Sequence, residues 1–257
     1  MSVRPTKALG QHFLVDENLL GVIGRLAALA PDDVVVEIGP GLGVLTRYLA
    51  DRVRHVHAIE LDRRLEEPLA GALEGRANVS PLFADALDVD LESLAPTPRK
   101  MVANLPYNVA TPLVVESLGS APSLEMWCVM VQREVADRFF AAPRTKAYGA
   151  VSVLVQLTAR RTGLHAVPPS AFRPRPRVES ALVAFVRIDG PAQDAVRPVV
   201  DAAFAHRRKT LANSLSLSGL ASRSEAVAAL STIGKPPSAR AEELTPVEFV
   251  SLADALR

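Results

Sequence analysis

Asp33-Val-Val-Val-Glu-Ile-Gly-Pro-Gly-Leu-Gly-Val-Leu-Thr46 is the stretch whose reading decides the fold. Val34 to Ile38 is a short β-branched apolar run, long enough for a buried strand and too short for a helix. Gly39, Gly41 and Gly43 follow at alternate positions, and Leu42 to Leu49 then reads as an amphipathic helix. A strand that runs through a glycine turn into a helix leaves backbone N–H groups free at the strand's carboxyl end. Open α/β sheets bind nucleotide-like ligands there. The third glycine comes one residue too early for the G-x-G-x-x-G of a dinucleotide fold, which disfavours an oxidoreductase of that kind. Glu37, inside the strand end, needs a donor or a cationic ligand. A glycine turn by itself is also compatible with a plain tight turn, so its meaning depends on the flanking chain.

Upstream, Gly10-Gln11-His12-Phe13-Leu14 precedes an amphipathic helix with Leu19, Leu20, Ile23 and Leu26 on its apolar face and Asp16 as its cap. Downstream, Val56 to Leu61 is a second buried strand ending in Glu60 and Asp62. Glu60 lies about 20 residues past the glycine turn, where a carboxylate can accept both hydroxyls of a ribose in a doubly wound fold. A helix over Arg63 to Leu73 leads to a third strand, Val79 to Ala84, which ends at Asp85, a candidate acceptor for an adenine amino group. Strand and helix in alternation predict a parallel sheet with right-handed crossovers.

A fourth strand, Lys100 to Ala103, ends at Asn104-Leu105-Pro106-Tyr107. Proline confines Leu105 to extended backbone, so the chain leaves the sheet with exposed carbonyls. Asn104 Oδ1 and the Pro106 carbonyl can converge on one amino group, and Tyr107 offers a ring for a base. A simple turn with a capping tyrosine is the bland alternative. Further on come a helix over Thr111 to Leu118, a fifth strand over Glu125 to Gln132, and helices over Glu134 to Phe140 and Tyr148 to Thr158. The proline-rich loop from Val167 to Val178 carries Phe172, Arg173, Arg175 and Arg177 and leads into a strand over Val178 to Ile188. Alternating prolines stiffen such a loop at low entropic cost. Gly190-Pro191 marks a boundary, giving a domain over 1–190 and a small all-helical domain over 191–257.

The chain has 257 residues, is 49% hydrophobic and holds no apolar stretch near the roughly 20 residues of a membrane span. With no signal-peptide pattern, a cytoplasmic address is expected. Cys128 is the only cysteine, so no disulfide or cysteine metal cluster is expected; it reads as a buried structural thiol. Net charge is +1, yet Arg160-Arg161, Arg173/Arg175/Arg177 and Arg207-Arg208-Lys209 cluster, which predicts a basic face for phosphate.

Taken together, the chain resembles the ribosomal RNA adenine N6-dimethyltransferase family, specifically its small-subunit branch. The resemblance rests on Gly10–Leu14, Val36–Gly43, Ile59–Asp62, Asp85-Ala86, Asn104–Asn108, Phe172–Val178 and Arg207–Leu211 in this order. It implies a doubly wound, mostly parallel, seven-stranded Rossmann-like methyltransferase sheet with S-adenosylmethionine as cofactor. By position His12 and Leu14 border the cofactor's methionine end, and His12 stands where relatives often carry asparagine. Gly39 and Gly41 admit the cofactor, Glu60 with Leu61 holds its ribose, and Asp85 with Ala86 reads its adenine. Asn104 and Pro106 bind the target amine, Asn104 also bordering the cofactor, while Tyr107 and Phe172 hold the flipped base. Arg173, Arg175, Arg207, Arg208 and Lys209 are expected to contact RNA. The implied substrate is a pair of adjacent adenosines in a hairpin loop near the 3′ end of 16S rRNA, within the assembling 30S subunit, and the implied enzyme is monomeric. The rivals are the large-subunit (23S) macrolide-resistance branch, against which Leu105, the Phe172–Val178 loop and the Arg207 segment argue, and a non-catalytic nucleic-acid-binding factor on the same fold. A small-molecule methyltransferase would not need the basic C-terminal appendage.

Overall fold

The computed structural model describes residues 10–206 and 208–257. They fall into two compact units. One runs to Ala136 and resumes over Arg160–Arg187, and the other takes Asp137–Ala159 and Ile188–Arg257.

The first unit contains β1 (Phe13–Leu14), α1 (Asn18–Leu26), β2 (Val34–Ile38), α2 (Val44–Ala50), β3 (His55–Glu60), α3 (Glu66–Ala72), β4 (Val79–Phe83), β5 (Lys100–Asn104), α4 (Ala110–Ser120) and β6 (Met126–Gln132). Helix α5 (Arg133–Phe139) crosses to the second unit, where α6 (Ala150–Thr158) follows. The chain then returns through β7 (Ala159–Val167), β8 (Phe172–Arg173) and β9 (Ser180–Arg187). The main sheet has seven strands in the order β4-β3-β2-β5-β6-β9-β7. The pairs from β4 to β6 are parallel, and β9 joins β6 antiparallel. This is the mostly parallel, doubly wound sheet expected from the alternation of strands and helices.

Strand β2 is buried along its whole length, as a central parallel strand must be. Val35, Val56, Val102 and Cys128 share a core with Ile23 of α1 and Leu49 of α2. Trp127, adjacent in β6 and therefore on the other face, stacks on Phe185 at 5.4 Å and donates from Nε1 to Ser117 of α4. Each fully buried side chain of this size contributes about 1.5–3 kcal/mol. Burial also pushes the Cys128 thiol up to about 12, so it stays protonated and inert. Edge strand β7 escapes sequence reading because Arg160, Arg161, Thr162, Leu164, His165 and Ala166 are all exposed, leaving no apolar alternation to detect.

Chain order places β3 and β4 on one side of β2 and β5 and β6 on the other. Between the carboxyl ends of β2 and β5 the winding reverses, and such a switch point opens a crevice.

The second unit adds α7 (Gln193–Phe204), α8 (Leu211–Leu217), α9 (Arg223–Thr232) and α10 (Pro246–Ala255). Capping boxes start α9, from Ser222 and Glu225, and α10, from Thr245 and Glu248. The boundary expected at Gly190 falls instead between Arg187 and Ile188, and residues 137–159 group with the C-terminal helices rather than with the first domain. The reason is local. Tyr148 packs edge-on against Phe204 and donates to the Leu244 carbonyl at 2.7 Å, while Gln193 Nε2 donates to Leu154 O at 3.0 Å. Among the described residues no helix is long and apolar enough to cross a membrane, and no group of three His, Cys, Asp or Glu side chains could hold a metal.

Candidate active site

A cleft of about 1030 Å³, counted out to its open mouth, occupies the switch point. Its floor is the glycine turn, where Gly39, Gly41 and Gly43 have φ of 73°, 59° and 77°. Gly41 is doubly constrained. Its φ disfavours any side chain, and a Cβ would lie 3.0 Å from the Phe13 ring.

Glu37 and Glu60 line this floor, and Asp62 lies just beyond Glu60 in sequence. Glu37 is 1% exposed, and burial pushes its carboxyl up to about 8 despite Thr46 beside it; Glu60 adds like-charge repulsion. Its Oε2 has no hydrogen-bond partner among the described residues. Glu60 accepts the Gly41 N–H at 3.1 Å and the Asp62 N–H at 2.9 Å, and burial raises its pKa as well. Asp62 differs: the Arg64 guanidinium holds it down to about 2, and Gln11 donates to it at 2.9 Å. Two desolvated carboxylates, one with an orphaned oxygen, suit a ligand that carries positive charge. Ribose, adenine and a sulfonium-bearing amino acid fit this donor and acceptor set.

The other residues expected to border a cofactor reach the same cleft. His12, Leu14, Leu61, Asp85, Ala86 and Asn104 all line it. Leu61 is 54% exposed at the rim. Asp85 is exposed and spends one oxygen on the Leu87 N–H at 3.0 Å.

Asn104, Pro106 and Tyr107 stand at the end of β5, lining the cleft. The Asn104 amide donates from Nδ2 to the His12 carbonyl at 2.9 Å. That bond fixes which way the amide faces and leaves Oδ1 as an acceptor without a partner among the described residues. The Pro106 carbonyl accepts the Val109 N–H at 3.2 Å and retains a second lone pair. Tyr107 is half-buried, its phenol 2.5 Å from Ser180 Oγ, with the His12 ring at 5.2 Å between centroids.

Phe172 corrects the expectation that it holds the flipped base. It is 0% exposed, opposes Leu14 in the small β1–β8 sheet and belongs to the core of the first unit. Strand pairing places its ring in that core, and it is not among the residues that line the cleft. Sequence reading gave no role to Ser180, which carries no motif of its own, nor to Gln11, Phe13, Asn108 and Leu113, which line the cleft.

Arg173 and Arg175 are exposed on the proline loop of the first unit. In the second unit Arg208 and Lys209 are exposed and share a separate cavity with Arg144, Lys146, His206 and Arg240. Arg207, expected beside them, lies outside the described residues.

The family model for ribosomal RNA adenine dimethylase matches residues 4–256. Ribosomal RNA small subunit methyltransferase A of Rubrobacter xylanophilus is 47% identical over 251 residues, covering 97% of this chain and 94% of its own. The protein of the same name from Thermobifida fusca is 46% identical over 265 residues, covering 99% and 91%. Among solved structures, a dimethyladenosine transferase from Plasmodium falciparum superposes with TM-score 0.80 at 23% identity, over 94% of this chain and 96% of that one. The 23S rRNA methyltransferase ErmE gives 0.68 at 29% identity, over 95% and 99%.

Proposed function

The chain belongs to the ribosomal RNA adenine dimethylase family, and we propose that it dimethylates N6 of two adjacent adenosines near the 3′ end of 16S rRNA, using S-adenosylmethionine. The observation that carries this reading is the fixed Asn104 amide, whose free Oδ1 sits with the Pro106 carbonyl beside a glycine-floored, carboxylate-lined cleft. Relatives at 46–47% identity bear the small-subunit name, whereas the 23S enzyme ErmE stands at 29%, which favours the small-subunit substrate.

The residues that would hold the cofactor are His12, Leu14, Gly39, Gly41, Glu60, Leu61, Asp85 and Ala86, with Glu37 buried beneath. Bound there, it supplies an electrophilic sulfonium methyl. The chain's own task is to make a poor nucleophile effective. The N6 lone pair of adenine is delocalised into the ring. Asn104 Oδ1 and the Pro106 carbonyl accept its two N–H bonds, favouring a more tetrahedral nitrogen whose lone pair points away from the acceptors. Tyr107 stacks on the extruded base and holds it in register. Positioning and local electrostatics then carry the reaction without a tuned acid–base pair. Once methylated, the nitrogen loses one proton to solvent and retains one N–H, which one of the two acceptors holds for a second round.

Arg173 and Arg175 in the first unit, and Arg208 and Lys209 with Arg144, Lys146 and Arg240 in the second, supply cations for the RNA backbone. The partner that fits this substrate is the assembling 30S particle, engaged by a monomer in the cytoplasm. Incubating the protein and labelled cofactor with unmethylated 30S or with 50S subunits tests the proposal. The expected result is label in the 30S subunit alone, recovered as N6,N6-dimethyladenine; label in the 50S subunit alone transfers the assignment to the rival branch.

A further inference from the structure

Residues 172–180 are tied at both ends to the side chains that the proposed chemistry uses. At one end β8 pairs with β1, placing Arg173 opposite Phe13, and His12 Nδ1–H donates to the Pro174 carbonyl at 2.7 Å. The His12 carbonyl is the group that orients Asn104. At the other end Ser180 opens β9, with its Oγ 2.5 Å from the Tyr107 phenol.

Ser180 is well placed to fix that phenol. It is 0% exposed and registers opposite Gln132 in the β6–β9 pair, so the sheet sets its position. Tyr107 lies on the irregular turn between β5 and α4, where only two side-chain torsions govern its ring. A hydrogen bond at the tip of the ring removes that freedom before any base arrives, and preorganisation of this kind lowers the cost of alignment.

We propose that Ser180 is a positioning residue for methyl transfer: its hydroxyl, acting through the Tyr107 phenol, holds the ring at the angle that receives the target adenine. The same short segment carries the exposed Arg173, Arg175 and Arg177, so the base platform and the arginine loop are braced as one piece. The proposal rests on the reading of Tyr107 as the stacking surface.

A double-mutant cycle over Ser180→Ala and Tyr107→Phe tests it, with Tyr107→Ala as the reference for the ring itself. Measured on unmethylated 30S subunits, each single change is expected to lower kcat about five- to tenfold. KM for the subunit and cofactor affinity stay within twofold. The double variant falls no further than either single one, because both remove the same bond. Ser180→Ala with parental kcat, or losses that multiply in the double variant, overturns the positioning role. Parental activity in Tyr107→Ala overturns the reading of Tyr107 instead. Should Ser180→Ala fail to fold, Tyr107→Phe decides alone: a parental kcat overturns the proposal, and a reduced kcat at unchanged KM supports it.

Discussion

The two units each carry a cavity, and the two are charged oppositely. The cleft of the first is floored by Glu37 and Glu60, both withdrawn from water and both with raised pKa values. The cavity of the second is rimmed by Arg144, Lys146, Arg208, Lys209 and Arg240, all solvent-exposed. Arg144 and Arg240 reach Glu243 and Glu242 at 3.6 and 3.4 Å, but exposed pairs of this kind are weakly held and readily exchanged. The difference teaches what each can recognise. A few desolvated carboxylates select a small cationic ligand, and their action depends on pH. Many solvated cations engage a polyanion, and their action depends on salt.

The sharpest way to break this division is to disable the first cavity's chemistry while leaving both binding functions in place. Asn104→Ala removes an acceptor aimed at the reacting amine. Methyl transfer is expected to fall by about 10²–10³-fold, the scale of losing one preorganised polar group at a reacting centre. Cofactor affinity by calorimetry and 30S binding stay within a few-fold. Turnover near the parental rate in a tritium-transfer assay removes Asn104 from its role.

The next effect is pH-dependent and belongs to the first cavity alone. Glu37 has a folded pKa of about 8 against a usual 4.5, so the folded state binds the extra proton between those values. Its stabilising effect is complete below about 4.5 and is lost as pH rises through 8, at no more than about 1.4 kcal/mol per pH unit. Glu60, also raised, acts in the same direction. A cationic ligand favours the ionised carboxylate, so cofactor affinity is expected to rise up to about tenfold per pH unit towards 8 and then level off. Thermal unfolding and calorimetry across pH 5.5–8.5 check both slopes. Glu37→Gln should flatten them without changing the salt dependence of RNA binding; slopes equal to the parent's would show that another group titrates.

Much of this division can be read from the residues alone, and the gaps have physical causes. The β2 run, the three glycines and the Asn104–Tyr107 segment declare themselves because a buried parallel strand and a positive-φ turn tolerate few residue types. Strand β7 does not, because an exposed edge strand is free to be polar. Phe172 misleads for a different reason. An aromatic beside arginines suggests a base platform, yet the two-residue pairing of β8 with β1 turns that ring into the core. Ser180 and the grouping of residues 137–159 with the C-terminal helices are set by contacts distant in sequence, such as Tyr148 with Leu244, and no local pattern announces them.

The smallest expected effect belongs to the second cavity and separates it from the first. The Arg208 and Lys209 side chains are exposed and make no ion pair among the described residues, so removing them disturbs little of the fold. If each neutralises one phosphate, Arg208→Ala with Lys209→Ala should reduce the slope of log K against log salt by about 1.4–1.8 units, since each contact contributes roughly 0.7–0.9. Loss of RNA affinity should be largest at low salt and shrink as salt rises, because screening weakens the parent's advantage. Filter binding of 30S subunits across a salt series reads both quantities, while the cofactor's pH profile stays as in the parent. An unchanged slope would mean that these cations are ordinary solvated surface. The contrast between the cavities would then rest on the first unit's acids and on whatever Arg173 and Arg175 hold.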